Sequence, residues 1–385
     1  MKIGIVGVGK SPNIGDQLIA KTLGKSIESL NHDHQLEYFD LDEGQYDVDF
    51  SHPVSNRSYT PSKEVQNKSY YLRFFKLLAF DAKNAKTYEQ QIENFIRDKD
   101  LLIIGGGHLL IDNFGSFILK ISRVTKLAQR FDIKFAFWGV GVGDELHYSW
   151  KSLAGRYIPK STRIFTRDSK SKIKIQNQGY YNVNTIIDPG FFSDLLDLKQ
   201  TDIQAPQKSL TIFMMDPYET HRHSSVKYSR EEIALWWSEF FELATSHYND
   251  IKIANNGGLA DWYFIDKYLK PNLPDNVTIL PRALSYKDLV VSVNDADTVI
   301  AQRLHAVIPS IALKKKFYAF KWDTKLENIL TDLGLEDSLI DFTMKPSSLF
   351  EIVKDNDNPT PTYQMLDEKK QQYLDALKNL LGSKL

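Results

Sequence analysis

The chain has 385 residues, which at about 150 residues per domain predicts two or three domains. Lys and Arg total 48 against 49 Asp and Glu, and this balance lacks the basic excess typical of nucleic-acid-binding proteins. The absence of cysteine excludes disulfides, thiolate nucleophiles and cysteine-ligated metal sites. No apolar stretch reaches the roughly 18 residues of a transmembrane helix, and the first residues do not resemble a signal peptide. We therefore expect a cytoplasmic protein with no nucleic-acid partner.

Short apolar strands and amphipathic helices alternate in the first half of the chain. The polar stretch Glu43–Lys68 is predicted to be a long surface loop, and a glycine-rich turn is predicted at Gly139–Gly143. The predicted strands are Ile3–Val8, Gln35–Leu41, Asp100–Ile104, Lys134–Trp138, Arg163–Thr166 and Thr185–Ile187, and the predicted helices are Asp16–Leu30, Glu89–Arg97 and Phe117–Arg130.

The same alternation restarts after a polar segment, Asp194–Lys208, which we interpret as a linker. Two successive β/α blocks predict an α/β protein with two doubly wound Rossmann-like domains facing a cleft, residues 1–195 and 208–350, followed by a C-terminal helix within 360–385. Ligands in such folds bind at the carboxyl ends of the strands, so the loops after the strands are the place to look for chemistry. The predicted elements of this half are the strands Leu210–Met214, Ile251–Ala254, Val277–Leu280, Thr298–Ala301 and Phe317–Phe320, and the helices Glu231–His247, Asp261–Tyr268 and Gln364–Leu380.

The first candidate site follows the first strand, at Asn13-Ile14-Gly15-Asp16. Asn13 or Asp16 either caps the following helix or, with the backbone N–H groups there, helps to bind an anionic ligand. The glycines before it lack the spacing of a dinucleotide fingerprint or a phosphate loop, which argues against nicotinamide or flavin binding.

Two further candidates follow later strands of the first block. Gly105, Gly106 and Gly107 would let a backbone approach a ligand closely, and His108 after them either caps, packs or takes part in the chemistry. Arg167, in Thr166-Arg167-Asp168, either makes a structural ion pair with Asp168 or another carboxylate, or holds a carboxylate or phosphate of a substrate.

Arg303-Leu304-His305 is the sharpest local feature. It follows the strand Thr298–Ala301 and precedes a predicted helix, Ala306–Leu313. A cation and an imidazole at a strand's carboxyl end and a helix N-terminus form an anion site with a group able to move a proton near neutral pH. We interpret His305 as a catalytic residue.

Two weaker patterns leave more than one interpretation open. His221-Arg222-His223 is a poor metal signal and fits a solvated loop or part of an anion site, so no metal is expected. The aromatic and basic segment Tyr70–Phe80 is either a core helix or a patch for peripheral contact with the inner membrane surface or with a lipid-linked substrate.

Taken in chain order, these motifs resemble the polysaccharide pyruvyl transferase family. The matching pieces run from residue 3 to about residue 335, and Lys314-Lys315-Lys316 departs from the short Gly-containing turn more usual in the family. The pieces are Asn13-Ile14-Gly15-Asp16, Gly105-Gly106-Gly107, Gly139-Val140-Gly141-Val142-Gly143, Thr166-Arg167-Asp168, Asp188-Pro189-Gly190 and Arg303-Leu304-His305-Ala306.

This resemblance implies a fold similar to the two-domain B-type glycosyltransferases. It also implies phosphoenolpyruvate as the donor, a saccharide as the acceptor, a pyruvate ketal as the product, and no metal or redox cofactor. By the motif match, Arg303 and His305 contact the donor and His305 is the acid–base residue. We add Arg167, Asn13 and the glycines Gly105, Gly106 and Gly107 as donor-binding candidates, and Asp16, His108 and Arg222 as acceptor-binding or acid–base candidates. The resemblance also implies that the acceptor is a surface or capsular polysaccharide or its lipid-linked precursor.

Two other functions remain open at this point. The first is a nucleotide-sugar glycosyltransferase of the same architecture, with Arg303 on a diphosphate and Asp16 as the base. The second is a non-catalytic binder of anionic sugars.

Overall fold

The chain folds into two domains, each built on one sheet, that pack against each other. The computed structural model describes residues 1–52, 85–111, 116–143, 146–197, 208–221, 227–322, 324–354 and 363–382. The first sheet has seven strands in the order β3-β2-β1-β4-β5-β6-β7, all parallel except the β2–β3 pair. Its strands are β1 (Lys2–Gly7), β2 (Gln35–Asp40), β3 (Gly44–Tyr46), β4 (Leu101–Leu110), β5 (Lys134–Val142), β6 (Ile164–Thr166) and β7 (Val183–Thr185).

The second sheet is entirely parallel and has the order β10-β9-β8-β11-β12-β13. The winding reverses between β1 and β4 in the first sheet and between β8 and β11 in the second. Such switch points are where open parallel sheets form ligand crevices. The strands are β8 (Ser209–Phe213), β9 (Asp250–Ala254), β10 (Val277–Ile279), β11 (Thr298–Ala301), β12 (Lys316–Phe320) and β13 (Leu339–Ile340).

Helices flank both sheets, which confirms the predicted class of two doubly wound domains. In the first domain they are α1 (Ile14–Leu30), α2 (residues 85–96), α3 (Ser116–Arg130), α4 (Tyr148–Tyr157) and α5 (Ser169–Gln176), with a 3-10 helix at Pro189–Leu195. The remaining helices are α6 (Pro217–Thr220), α7 (Arg230–Ala244), α8 (Leu259–Phe264), α9 (Tyr286–Asn294), α10 (Leu304–Ala312), α11 (Thr324–Thr331), α12 (Pro346–Lys354) and α13 (Gln364–Gly382).

Two glycine-rich segments belong to strands, so the turn predicted at Gly139–Gly143 was wrong. Gly105–Gly107 lies inside β4, and Gly139–Gly141 lies inside β5, which ends at Val142. A β-carbon at residue 105 would overlap the carbonyl of Trp138 on the neighbouring strand, so glycine is needed for close strand packing. Within the predicted loop Glu43–Lys68, Gly44–Tyr46 forms a strand that pairs with β2, and residues 53–68 lie outside the described residues.

The C-terminal helix α13 returns to the first domain. Tyr373 is fully buried, packs edge-on against Trp138 at 5.1 Å between ring centroids, and lies 4.6 Å from the ring of Phe192. Its hydroxyl is 3.2 Å from the Ser26 hydroxyl of α1. One hydrophobic cluster therefore includes residues from α1, the 3-10 helix, α10 and α13, and it spans both domains.

Direct hydrogen bonds also join the two domains. The Ile14 N–H donates to the Asn256 carbonyl at 3.1 Å, and the Tyr286 N–H donates to the Gln17 side chain at 2.8 Å. These contacts place the N-terminus of α1 against the carboxyl edge of the second sheet. Among the described residues, no helix has the length and apolarity that crossing a membrane requires.

Candidate active site

The candidate residues meet where the carboxyl ends of the two sheets face each other. Asn13 and Asp16 follow β1, and Arg303 and His305 follow β11, so both switch points contribute. Arg167 and Asp188 follow β6 and β7. Because the carboxyl edges of the two sheets face each other, residues almost 300 positions apart in the sequence lie together.

Asn13 caps α1. Its side-chain oxygen accepts a hydrogen bond from the Gly15 N–H at 3.3 Å, and its amide nitrogen lies 3.5 Å from a carboxylate oxygen of Asp16. The capping interpretation is therefore correct for Asn13, whereas Asp16 lies within the first turn of the helix. This cap directs the amide of Asn13 toward Asp16.

Asp16 has an unusual electrostatic environment. Burial raises its pKa to about 6, against a hydrogen bond with Ser11 and the attraction of Arg167, which lower it. Asp188 and Asp40 add to the increase. A β-carbon at residue 107 would lie 3.0 Å from the Asp16 carboxylate, so the glycine strand β4 passes directly beside it. Asp16 is thus a carboxylate whose proton affinity suits acid–base work near neutral pH.

His305 lies in the first turn of α10, which begins at Leu304, two residues earlier than predicted. Its ring packs on the backbone of Gly15 in the first turn of α1, where any β-carbon would overlap the imidazole. Glycine at residue 15 is therefore required for the two helix N-termini to meet. Within the described chain, Nε2 of His305 is buried and has no hydrogen-bond partner.

The surroundings of His305 favour its neutral form. Burial lowers its pKa to about 4, and the nearby guanidinium groups of Arg167 and Arg303 contribute to the decrease, while Asp188 opposes it. His305 is consequently neutral at pH 7 in this environment. An anion placed beside it would raise the pKa and favour the imidazolium.

Arg303 is held by a carboxylate that the sequence did not reveal. Its Nε and Nη2 donate to the two oxygens of Asp261 at 3.0 and 2.7 Å, a two-pronged arrangement. Asp261 is fully buried and also accepts the N–H of Asp216 at 2.9 Å, and Asp216 in turn pairs with Arg230. This chain of buried charges fixes the direction of the Arg303 side chain.

Arg167 makes a structural ion pair, but with Asp188 and not with Asp168. Its Nη1 lies 3.2 Å from Asp188 Oδ2, and both side chains are buried. Asp168 caps α5, and Asp188 caps the 3-10 helix at Pro189–Leu195. The Arg167–Asp188 pair remains part of the site because both groups act on the pKa of His305 and Asp16.

His108 and the glycine-containing strands β4 and β5 lie beside Arg167. A β-carbon at residue 141 would overlap the His108 ring and lie 3.0 Å from Nε of Arg167. Gly106 has φ +79° and Gly107 has φ +77°, which side-chain-bearing residues rarely adopt. Gly105 and Gly107 pair with residues of β5 in the sheet, so these glycines allow the packing of the site whether or not they also touch the donor.

Two predictions lie outside the described residues: Arg222 and the segment Tyr70–Phe80. Both stay predictions. In the part of the chain that the structure describes, no group of three or more His, Asp or Glu side chains is placed to hold a metal ion.

Sequence reasoning missed Asp261, the role of Asp188, and the loop Asn255-Asn256-Gly257-Gly258 after β9. Asn256 is buried, and within the described residues neither polar atom of its side chain has a hydrogen-bond partner. A pair of amides followed by two glycines directly after an apolar strand is the signal that would have identified this loop.

Two doubly wound domains with this facing site define the B-type glycosyltransferase fold. Solved structures with the same fold include the Methanocaldococcus jannaschii UDP-GlcNAc 2-epimerase in complex with UDP-GlcNAc and UDP, with 10% identity, a TM-score of 0.52 and 100% of both chains covered. A putative UDP-N-acetylglucosamine 2-epimerase from Listeria monocytogenes is similar, with 10% identity, a TM-score of 0.55, and 99% of this chain and 96% of that chain covered. A search of curated protein sequences gave no significant match.

The family follows from the sequence itself. The family model for polysaccharide pyruvyl transferase matches residues 13–324, which include every described candidate of the site. The chain belongs to the polysaccharide pyruvyl transferase family and is a transferase.

Proposed function

We propose that this transferase moves the pyruvyl group of phosphoenolpyruvate onto two hydroxyls of a saccharide and forms a cyclic pyruvate ketal. The observation that carries the proposal is the meeting of Arg303, His305, Arg167 and Asp16 at the facing helix N-termini. Phosphoenolpyruvate is compact and carries a phosphate and a carboxylate. It therefore suits a site with two fixed guanidinium groups and two helix N-termini.

The two arginines are suited to bind the donor because carboxylates already hold them in place. Asp261 orients Arg303, and Asp188 orients Arg167. A quarter of the Arg303 side chain is exposed, whereas Arg167 is almost fully buried. We assign Arg303 as the main contact of the donor and Arg167 as a contributor to the positive potential behind it.

His305 and Asp16 supply the proton transfers in this proposal. Bound donor raises the pKa of His305, and the imidazolium protonates the methylene carbon of phosphoenolpyruvate. Asp16 accepts the proton of the first sugar hydroxyl as its oxygen bonds to the central carbon. The carbon–oxygen bond to phosphate then breaks, and the second hydroxyl closes the ketal. The two sugar hydroxyls lose one proton each. One of these protons makes up for the proton that His305 gave to the methylene carbon, and the other leaves with inorganic phosphate.

The proposal predicts that phosphoenolpyruvate binds without an added divalent metal. At 100 times the dissociation constant, a ligand that binds only the folded protein stabilises it by about 2.7 kcal/mol. A thermal melt with and without the donor, each in the presence of EDTA, measures this effect. A missing shift, or a shift that requires magnesium, contradicts the proposal.

Turnover distinguishes this function from its alternatives. With donor and a saccharide acceptor, a pyruvyl transferase releases inorganic phosphate, a nucleotide-sugar glycosyltransferase releases a nucleotide from its own donor, and a binder releases neither. A panel of acceptors that includes lipid-linked and free oligosaccharides tests which form carries the hydroxyls.

The proposed role of His305 also predicts proton uptake on donor binding. Calorimetric titrations with phosphoenolpyruvate at pH 7 in buffers of different ionisation enthalpy report the protons taken up. We expect greater uptake in the wild type than in His305→Gln, with the donor's own phosphate contributing equally to both. His32→Gln, in the exposed turn after α1, is the matched control and should behave like the wild type.

A further inference from the structure

A second group of basic side chains lies beside the candidate active site, at the junction of the two domains. We infer that Lys10, His52 and Arg282 form an acceptor subsite that binds an anionic group, a phosphate or a carboxylate, carried by the saccharide. The assignment of the anion to the acceptor rests on the proposed function, whereas the anion site itself depends only on the contacts described below.

The three side chains come together around Phe50 and the loop after β9. The His52 ring packs on Phe50 at 4.8 Å between centroids, and the Lys10 ammonium lies 5.5 Å from the centre of the same ring. The His52 N–H donates to the Leu284 carbonyl at 2.6 Å, which brings the first domain to the segment that contains Arg282. Nη1 of Arg282 donates to the Gly257 carbonyl at 2.8 Å.

Two buried polar side chains in this region have unmet hydrogen-bonding capacity. His52 is 9% exposed, and its Nε2 has no partner within the described chain. Asn256 is 2% exposed, and the same holds for both Nδ2 and Oδ1. Buried polar groups are almost always hydrogen-bonded, so two such groups beside a basic cluster indicate a polar ligand.

The charges favour an anion over a cation. Lys10 forms an ion pair with Glu43, whose side chain is more than half exposed, and Arg282 adds a further positive charge. The groups that act on His52 are Arg282, Glu43 and Lys10, and burial together with the two cations keeps the pKa of His52 below its usual range. Neutral His52 therefore offers a hydrogen bond, while Lys10 and Arg282 supply the charge.

A single loop connects this subsite to the reaction centre. Gly257 contacts Arg282 through its carbonyl, and a β-carbon at the next residue, Gly258, would lie 4.0 Å from Nη2 of Arg303. Asn256 precedes both. An anion at Arg282 and a donor at Arg303 would therefore flank the same short backbone segment, and in this proposal the sugar lies between them.

The test compares variants of the subsite with a variant of the donor site in their binding of small anions and of the donor. Calorimetry measures pyrophosphate, as the phosphate probe, malonate, as the carboxylate probe, and phosphoenolpyruvate. We expect His52→Gln/Arg282→Gln to weaken pyrophosphate or malonate binding at least tenfold and to change donor binding less than twofold. Arg303→Gln should give the opposite pattern. Arg282→Lys, which keeps the charge, should retain most of the anion affinity, and thermal melts of all variants report their folding.

Each outcome bears on the inference. If both probes fail to bind the wild type, or if Arg303→Gln weakens them as much as the double substitution does, the subsite does not exist. If the probes follow the double substitution while phosphoenolpyruvate does not bind the wild type, the anion subsite stands and the proposed function fails. The probe that binds more tightly shows whether the anionic group of the acceptor is a phosphate or a carboxylate.

Discussion

Arg303 and His305 lie one residue apart, yet their environments give them different tasks. Asp261 accepts two hydrogen bonds from one edge of the Arg303 guanidinium, whereas the His305 ring lies on the Gly15 backbone with Nε2 unpartnered among the described residues. A fixed cation suits charge recognition, and a buried imidazole with an adjustable pKa suits proton transfer.

Substitution of these two residues should therefore have different effects. Arg303→Ala should weaken phosphoenolpyruvate binding by about 2–5 kcal/mol, and it should also destabilise the fold by about 3–5 kcal/mol because Asp261 stays buried without its partner. His305→Gln should lower turnover by about 10²–10⁴ with a smaller change in donor affinity. Arg303→Lys, which retains a positive charge for Asp261, separates the binding loss from the folding loss. Near-normal turnover in His305→Gln would remove the catalytic assignment.

Asp16 gives a prediction of pH-dependent stability. Its folded-state pKa of about 6 exceeds the unfolded value, so the native state binds the extra proton and loses stability as pH rises from about 4 through 6. Asp16→Asn should therefore raise the free energy of unfolding at pH 7 by about 1–3 kcal/mol, an advantage that vanishes near pH 4. Urea denaturation at several pH values measures this effect, and the exposed Asp33→Asn is the control.

The same substitution should lower turnover, because an amide cannot accept the hydroxyl proton. A more stable but inactive Asp16→Asn protein is the expected combination. A variant with full turnover would exclude Asp16 as the base.

At the level of elements, apolar runs and helical spacing predicted most strands and the longest helices. They did not predict the short strands β3 and β13 or the helices α4, α5, α6, α9 and α12. The strand predicted over Asp100–Ile104 continues through Gly105–Gly107 to Leu110 as β4. Glycine is needed there because Trp138 on β5 lies too close to residue 105, and Ile19 on α1 too close to residue 106, for a side chain.

Sequence patterns also identified the site residues but not the carboxylates that hold them. Arg303, His305, Arg167 and Asp16 could be found because each follows an apolar strand. The partners Asp261 and Asp188 could not be assigned, because they lie 42 and 21 positions away from the arginines they hold. Only the pairing of β8 with both β9 and β11, and of β6 with β7, brings them near.

The contact between α1 and α10 makes residue 15 a sensitive position. Gly15→Ala would force its new methyl group into the His305 ring. We expect a lower melting temperature and a loss of turnover of at least tenfold, because the two helix N-termini must separate. Gly155→Ala is the matched control: residue 155 lies in α4 and is exposed, and a methyl group added there would meet no neighbouring atom within 4 Å.

Gly155→Ala should instead stabilise the protein by about 0.5–1 kcal/mol, because alanine is the better helix former. Thermal melts and phosphate release measured on both variants check the pair. Equal behaviour of the two variants would mean that the α1–α10 contact is not needed.

For the whole molecule, α13 fastens the second domain to the first. Tyr373 fills the space between Trp138 and Phe192, so Tyr373→Ala should cost about 3–5 kcal/mol of stability. Tyr373→Phe keeps the ring and loses only the hydrogen bond to Ser26, at about 0.5–1.5 kcal/mol. Guanidinium denaturation measures both variants. A similar, small cost for each would show that α13 contributes little.

The return of α13 also sets the order in which the protein is completed during synthesis. All strands of the first sheet are synthesised before residue 200. Trp138 and Phe192, however, are covered by Tyr373 only after both sheets have been synthesised. The domain that is synthesised first is therefore finished last. Its apolar surface stays open through most of translation, which is the interval when a nascent chain is most exposed to aggregation and to chaperones.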